Sequence, residues 1–295
     1  MAKLRARLGK IKVGDGLPVV VMGVLNLSQD SFYRGSIVRS SAEAVRKARE
    51  MVDEGANIID IGAIGTGPHS KPITVKLEFD RLVPAVRALG RELGVPISAD
   101  TQRAEIAEAA VSAGASIIND ISGLKSDPRM AEVISKSGCS ALLMAARKTP
   151  GDTITIEETR RALTESLRIC KNHGIWLNRV VIDPAVGYWP GRLKRLGRKA
   201  HENLPGRPYS RAASMDLDII SELQEFRKIG QPICVGLSRK SFIGSVLNLR
   251  DPSKRLAGSL AASAIAVING AHVLRTHDPV ESIQAARVAE AMKKF

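Results

Sequence analysis

Seven short apolar runs in this chain end on a polar or ionisable residue, and the residue types suit a two-ended binding site. Asn26 closes the first run, Asp60 the second, Asp100 the third, and Asn119-Asp120 the fourth. Asp183 closes the sixth. The seventh leads into Ser238-Arg239-Lys240, and the eighth into Arg275-Thr276-His277-Asp278. The carboxylates and amides can accept hydrogen bonds from a flat nitrogenous ring that carries N–H donors, and Asn119 can also donate. Arg239 or Lys240, with Arg275 and His277, supplies the opposite sign and suits a phosphate or diphosphate leaving group. Any one Asp or Asn at such a place is explained by a helix cap or a turn. A whole set at equivalent places is much harder to explain that way.

The elements that must position these residues repeat. Apolar runs fall at 19–25, 58–61, 96–99, 115–118, 140–143, 180–182, 232–235 and 271–274. Helical patterns follow at roughly 41–55, 76–93, 103–113, 128–137, 156–173, 214–228, 253–269 and 279–293. Ser40/Ser41 with Glu43, and Thr155 before Glu157-Glu158, mark two helix starts. Continuous β-branched runs read as parallel strands buried on both faces. Eight such units predict an α/β fold, a (β/α)8 TIM barrel, in which the strand ends converge on one mouth. A doubly wound open sheet is the alternative, but the first strand runs into Gly23-Val-Leu-Asn26 and lacks the glycine-rich dinucleotide turn. The stretch 1–17, with its Gly14-Asp15-Gly16 turn, predicts a short N-terminal hairpin. Nothing divides the chain, so 1–295 reads as a single domain, with a long basic loop inserted at 184–213.

Composition narrows the function classes. The 295 residues are 44% apolar and 25% charged, which excludes a disordered chain. No apolar run reaches the length of a membrane span, and the basic start has no apolar segment of a signal peptide behind it. Three scattered cysteines, Cys139, Cys170 and Cys234, form no metal-ligand spacing and no disulfide framework. A cytoplasmic protein is expected. The net charge of +14 is concentrated in residues 2–12, at +5, and 190–211, at +6. Two patches suit a phosphorylated small molecule, or less readily nucleic acid, which a uniformly basic surface would favour.

The chain resembles the dihydropteroate synthases of the pterin-binding barrel family. The resemblance rests on Met22-Gly-Val-Leu-Asn26-Leu-Ser-Gln-Asp30-Ser-Phe32, Ile59-Asp60-Ile-Gly62, Ser98-Ala-Asp100-Thr101, Asn119-Asp120-Ile-Ser-Gly123, Ile182-Asp183-Pro184, Gly236-Leu-Ser238-Arg239-Lys240 and Arg275-Thr-His277-Asp278. These stretches come in the family's order over roughly 18–292. The resemblance implies condensation of 6-hydroxymethyl-7,8-dihydropterin diphosphate with an arylamine, releasing diphosphate. It implies that Asp100, Asn119 and Asp183 contact the pterin with Lys240 beside them. Arg275 and His277 would hold diphosphate, and Asn26 would stand near its Mg2+. Asp60 matches a further motif carboxylate, and Ser238 a position near the aminobenzoate. Thr66, Met144 and Arg34 complete the expected substrate-binding set. Family members are commonly homodimers.

Three departures fall mainly on the arylamine half. After Asp60 the family's Glu and Arg are replaced by Ile64 and Gly67, and Thr66 is kept. In the first loop an acid becomes Arg34, within Tyr33-Arg34-Gly35-Ser36, and after the fifth strand the usual Met-His becomes Met144-Ala145. Arg34 and the 190–211 patch could receive an arylamine that carries a ribosyl phosphate, as in methanopterin-type cofactors, in place of 4-aminobenzoate. Two other functions compete: a pterin-binding methyltransferase serving a corrinoid protein, and a non-catalytic pterin- or nucleic-acid-binding relative. The first would not need the Ser-Arg-Lys and Arg-x-His anion motifs. The second would show a salt-steep affinity for generic DNA.

Overall fold

The computed structural model describes residues 3–28, 37–65 and 72–293. The chain opens with β1 (Arg5–Leu8) and β2 (Ile11–Gly14), an antiparallel pair in which Leu8 faces Ile11. The tight turn is therefore Gly9-Lys10, with Gly9 at φ +56, and not the Gly14-Asp15-Gly16 that composition suggests. That second cluster carries the chain from the hairpin into the barrel.

Eight parallel strands follow: β3 (Val20–Asn26), β4 (Ile58–Gly62), β5 (Ile97–Asp100), β6 (Ile117–Asp120), β7 (Ser140–Met144), β8 (Val180–Asp183), β9 (Cys234–Gly236) and β10 (Val273–Thr276). Their order is β8-β7-β6-β5-β4-β3-β10-β9. The ring closes where Ile182 bridges Ile233 and the Ile182 N–H donates to the Pro232 carbonyl at 3.0 Å. This is the expected (β/α)8 barrel with an N-terminal hairpin.

Side chains on a strand alternate between faces, so every second residue points into the barrel. The lowest inward layer is apolar: Val20, Met22, Ile58, Ile117, Leu142, Val181, Cys234 and Val273 pack with Ala6, Leu8 and Val13 of the hairpin. The hairpin thus stoppers one end of the barrel. Two residues further along each strand the inward positions become Val24, Asp60, Asn119, Met144, Asp183, Gly236 and Arg275. Strand register sets Val24 beside Asp60, Asp100 beside Asn119, Met144 beside Asp183, and Arg275 beside Gly236. The polar strand ends are therefore one layer of the interior, lying directly on an apolar floor. Outward residues such as Leu25, Ile59, Ile61, Ile97, Ile118 and Leu143 belong to the larger core between sheet and helices.

Helices α1 (Ser41–Asp53), α2 (Val75–Glu92), α3 (Ala104–Ser112), α4 (Met130–Ser137) and α5 (Ile156–Asn172) follow β3 to β7. The two anticipated caps are formed: Ser40 Oγ accepts from the Glu43 N–H at 3.1 Å, and Thr155 Oγ1 from the Glu158 N–H at 3.1 Å. After β8 the chain departs from expectation. The segment read as a loop contains α6 (Pro190–Leu196) and a 3-10 turn over Gly197–His201. The helix expected over 214–228 starts earlier, as α7 (Arg211–Ser221), and breaks at Glu222 before α8 (Leu223–Arg227). After β9 come α9 (Ser241–Leu247) and α10 (Leu256–Ile268), and α11 (Pro279–Met292) follows β10. Among the described residues no helix is long and apolar enough to cross a membrane.

Candidate active site

Arg275 spans the mouth of the barrel. Its Nε donates to Asp60 Oδ2 at 2.7 Å and its Nη2 to Asp100 Oδ2 at 2.9 Å. Asn119 Nδ2 donates to the same Asp60 oxygen at 3.2 Å. These groups come from β10, β4, β5 and β6, and Asp60 is wholly buried. Burial pushes the Asp100 carboxyl well above the ordinary range; Arg275 opposes the shift and the nearby Asp60 adds to it. Asp60 Oδ1 is buried without a hydrogen-bond partner among the described residues. It is an acceptor at the pocket floor that an incoming N–H could satisfy. Arg275, which the resemblance assigns to diphosphate, therefore serves the carboxylates with two of its nitrogens; Nη1 is used by neither.

The opposite wall comes from β7, β8 and the segment after β9. Met144 is buried beside Asp183, whose Oδ1 accepts from the Ala185 N–H at 2.7 Å. Burial raises the Asp183 carboxyl, against the pull of that N–H and of Lys240. Lys240 stands at the start of α9, its ammonium 5.2 Å from the ring centre of Trp189, a cation–π distance. Burial, reinforced by Arg275, lowers Lys240 to about 8. Gly187 permits this approach, since a Cβ there would lie 3.2 Å from the Lys240 nitrogen.

The choice between Arg239 and Lys240 is resolved by geometry. Arg239 is buried and turned away, gripping both oxygens of Asp278 at 2.6 and 3.0 Å and the Ser253 carbonyl at 2.6 Å. It is a structural cation, and Lys240 belongs to the site. Ser238 Oγ lies 3.3 Å from Asp278 and accepts from the His277 N–H at 3.4 Å. His277 is held down to about 4, by burial first and then by Arg275, so it is a neutral imidazole at neutral pH. Asn26 ends β3 at the same rim, beside Gly62. Arg34, Thr66 and Gly67 lie outside the described residues. Ile64, which stands where the family carries Glu, is half-buried and walls a cleft of about 180 Å3 with Gly65, Thr149, Pro150 and Trp189; Asp100 lies at its edge.

Sequence reasoning missed Trp189 and Asp216, and read Arg192 only as one cation of the basic patch. Two adjacent aromatics just past a strand end, Tyr188-Trp189, were a usable signal in a chain only 3% aromatic. The basic segment also needs correction. Arg192 is completely buried and bonded to Asp216 at 2.6 Å. Arg195 is paired with Glu158 and Arg207 with Asp218, each at 2.6 Å. One cation of the patch is thus internal and two are held in surface ion pairs, while Lys194, Arg198 and Lys199 are exposed.

With this geometry in place, comparison with known proteins is decisive. Residues 22–277 match the pterin binding enzyme family. The chain belongs to that family. It is 35% identical over 278 residues to a dihydropteroate synthase of Escherichia coli (strain K12), covering 92% of this chain and 90% of that protein. Among solved structures, the dihydropteroate synthase of Coxiella burnetii in complex with pteroic acid superposes with a TM-score of 0.80 at 32% identity, over 98% of each chain. That of Xanthomonas albilineans with 4-aminobenzoic acid gives 0.81 at 28% identity over the full length of both. Each wall of the mouth thus carries carboxylate and cation together: Asp60 and Asp100 with Arg275 on one side, Asp183 near Lys240 on the other.

Proposed function

We propose that this pterin-binding enzyme is a dihydropteroate synthase, a transferase that joins 6-hydroxymethyl-7,8-dihydropterin diphosphate to 4-aminobenzoate and releases diphosphate. The observation that carries the reading is the gathering at the barrel mouth of Asp60, Asp100 and Asn119 around Arg275, with Asp183 and Lys240 on the opposite wall. Asp100, Asn119 and Asp183 accept from the pterin's ring and amino N–H groups. As the C–O bond to diphosphate breaks, its electron pair leaves with the diphosphate and positive charge develops on the pterin methylene. The buried carboxylates stabilise that charge. Lys240 and Arg275 oppose the charge gathering on the diphosphate, and His277 stands near them as a neutral imidazole bonded to the Val24 backbone. The arylamine nitrogen then forms the C–N bond and gives up one proton.

A Mg2+ fits this site by its chemistry. The ion takes oxygen donors and is commonly held by one or two protein oxygens together with substrate phosphates. Asn26 offers such an oxygen at the rim. Among the described residues no group of three or more His, Cys, Asp or Glu stands ready to hold a metal. Asn26 and the diphosphate itself would therefore hold the ion, which when bound neutralises the leaving group.

The cleft beside Asp100, walled by Ile64, Pro150 and Trp189, suits the flat ring of an arylamine. The burial of Arg192 in an ion pair with Asp216 takes one cation of the basic segment away from any substrate phosphate and favours 4-aminobenzoate over a ribosyl phosphate. The same reading includes a homodimer, supported by exposed Ile265 and Ile268 on α10 and Val288 and Met292 on α11, and a cytoplasmic location, which suits three buried free thiols. The test is diphosphate release from the pterin diphosphate with 4-aminobenzoate and its ribosyl phosphate offered in parallel, with and without EDTA, and light scattering for the dimer. Release that requires Mg2+ and prefers 4-aminobenzoate is expected. No release with either amine would refute the synthase reading, and preference for the ribosyl phosphate would refute the choice of amine.

A further inference from the structure

We propose that Asp216 is a positioning residue for Lys240, held by Arg192 and acting through the loop 185–189. The inference rests on the synthase reading for the role of Lys240, and adds to it the device that sets that lysine.

Arg192 and Asp216 are both wholly buried. Arg192 spends its donors on the loop and its surroundings: Nε bonds the Thr153 carbonyl at 2.9 Å, Nη2 the Ala185 carbonyl at 2.9 Å, and Nη1 the Gly187 carbonyl at 3.1 Å and Asp216 at 2.6 Å. Asp216 Oδ1 also accepts from the Gly187 N–H at 2.8 Å, so one carboxylate oxygen and one guanidinium grip Gly187 from both sides. The Trp189 indole N–H donates to the Ala185 carbonyl at 3.0 Å, which fixes the ring over Lys240. Asp216 Oδ2 is buried without a hydrogen-bond partner among the described residues. A buried ion pair is costly to form and seldom stabilises more than apolar packing would. Its retention here has a local purpose: it shapes the backbone against which the lysine rests and places a carboxylate behind it.

The charged groups acting on Lys240 are Arg275 from β10, Asp183 from β8, Asp216 from α7 and Arg192 from α6. Asp216 supports the protonated ammonium, and its effect exceeds the opposing effect of Arg192. Neutralising Asp216 should therefore make Lys240 lose its proton at lower pH. The Trp189 face supports the ammonium in the same sense.

The test is the pH dependence of Lys240 acetylation by an N-hydroxysuccinimide ester, read by mass spectrometry on the full ligand-free chain. In the unaltered protein reactivity should rise through about pH 8. Asp216→Asn should move that rise to lower pH and increase labelling near neutrality by about threefold or more, since each pK unit is tenfold. A change in exposure alone would scale the curve at every pH without moving its midpoint. Trp189→Leu should shift the midpoint in the same direction, and Trp189→Phe should restore it. If Asp216→Asn does not fold, the pair Arg192→Met with Asp216→Leu replaces the ion pair by apolar volume, and should shift the curve in the same direction by less. An unmoved midpoint in the folded single variant, or in the double variant where the single does not fold, overturns the proposal. In turnover, KM for the pterin diphosphate should rise several-fold with KM for 4-aminobenzoate unchanged. Labelling needs no substrate, so its outcome is separate from failure of the synthase reading, which would be absence of diphosphate release by the unaltered chain.

Discussion

Asp100→Asn separates ring recognition from folding. The exchange keeps the planar shape but replaces an acceptor-only carboxylate with an amide that also presents N–H donors. In the ligand-free chain the carboxylate faces Arg275 Nη2 at 2.9 Å, while Asp60 holds the same guanidinium at 2.7 Å. Removing one of two carboxylates therefore leaves the arginine compensated. The amide oxygen of the variant can still accept, so below about 3.8, where the carboxyl is protonated as well, stability should change by no more than about 1 kcal/mol, the worth of an ordinary hydrogen bond; at higher pH, where the buried carboxyl must ionise, the Asn variant should gain on the unaltered chain. Binding differs, because a charge-assisted bond to the pterin contributes roughly 1.5–3 kcal/mol, or about 10- to 150-fold in Kd. The pH dependence has a definite sign. Asp100 is raised in the folded chain from 3.8, so the fold takes up this proton before the unfolded chain does. Its contribution to stability is fully present below about 3.8 and is lost as pH rises through the higher folded value. The Asn variant lacks that titration. Calorimetry with a non-reacting 6-hydroxymethylpterin, beside thermal melts across this range, measures all three quantities. Unchanged pterin affinity in a folded Asp100→Asn chain would refute the pocket, and an unaltered pH slope would refute the account of its burial.

Three other outcomes are expected. Lys240→Ala and Arg275→Ala should each lower turnover by about 10²-fold or more, as removal of a transition-state donor commonly does; wild-type rates in a diphosphate-release measurement would remove them from the anion site. Arg192→Met alone should destabilise the chain by about 3–5 kcal/mol, because it leaves Asp216 buried without its counter-charge, and denaturant melts would expose a smaller effect. His277, held near 4 against an ordinary 6.5, and His272, also held low by burial, stay neutral in the fold while the unfolded chain protonates. Their stabilisation is present above 6.5 and is lost as pH falls toward 4. His277→Asn should flatten that decline in melts taken across the interval.

The barrel was legible because its strands are continuous apolar runs, and the site because several of them end where period-two alternation turns an inward apolar residue into an inward polar one. Val181 to Asp183 and Val273 to Arg275 show this step directly. Other features carried too little local signal. Gly9-Lys10 forms the hairpin turn, whereas Gly14-Asp15-Gly16 has the stronger composition but merely redirects the chain. The glycine, proline and arginine of 184–213 disguised α6, although Pro190 is a good first helical residue. Arg192 was counted as surface charge because its partner, Asp216, lies 24 residues away and only the fold unites them. Arg239 and Lys240 are adjacent in sequence and opposite in role; only the position of Asp278 tells them apart.

The closure of the ring has a mechanical consequence. Seven of the joints between neighbouring strands carry three to five paired residues each. The joint between β8 and β9 has the single bridge Ile182–Ile233, and Pro232 there has a carbonyl to offer but no N–H. The hoop is therefore stiff around most of its circumference and compliant at one hinge line. Asp183 lies just past that line on one side and Lys240 beyond it on the other, while Arg275, Asp60 and Asp100 sit across the stiff arc. A slight splay along this seam would change the gap between the carboxylate and the ammonium while sparing the arginine clamp, and deuterium uptake at Ile182 should exceed that at Ile118 as its signature.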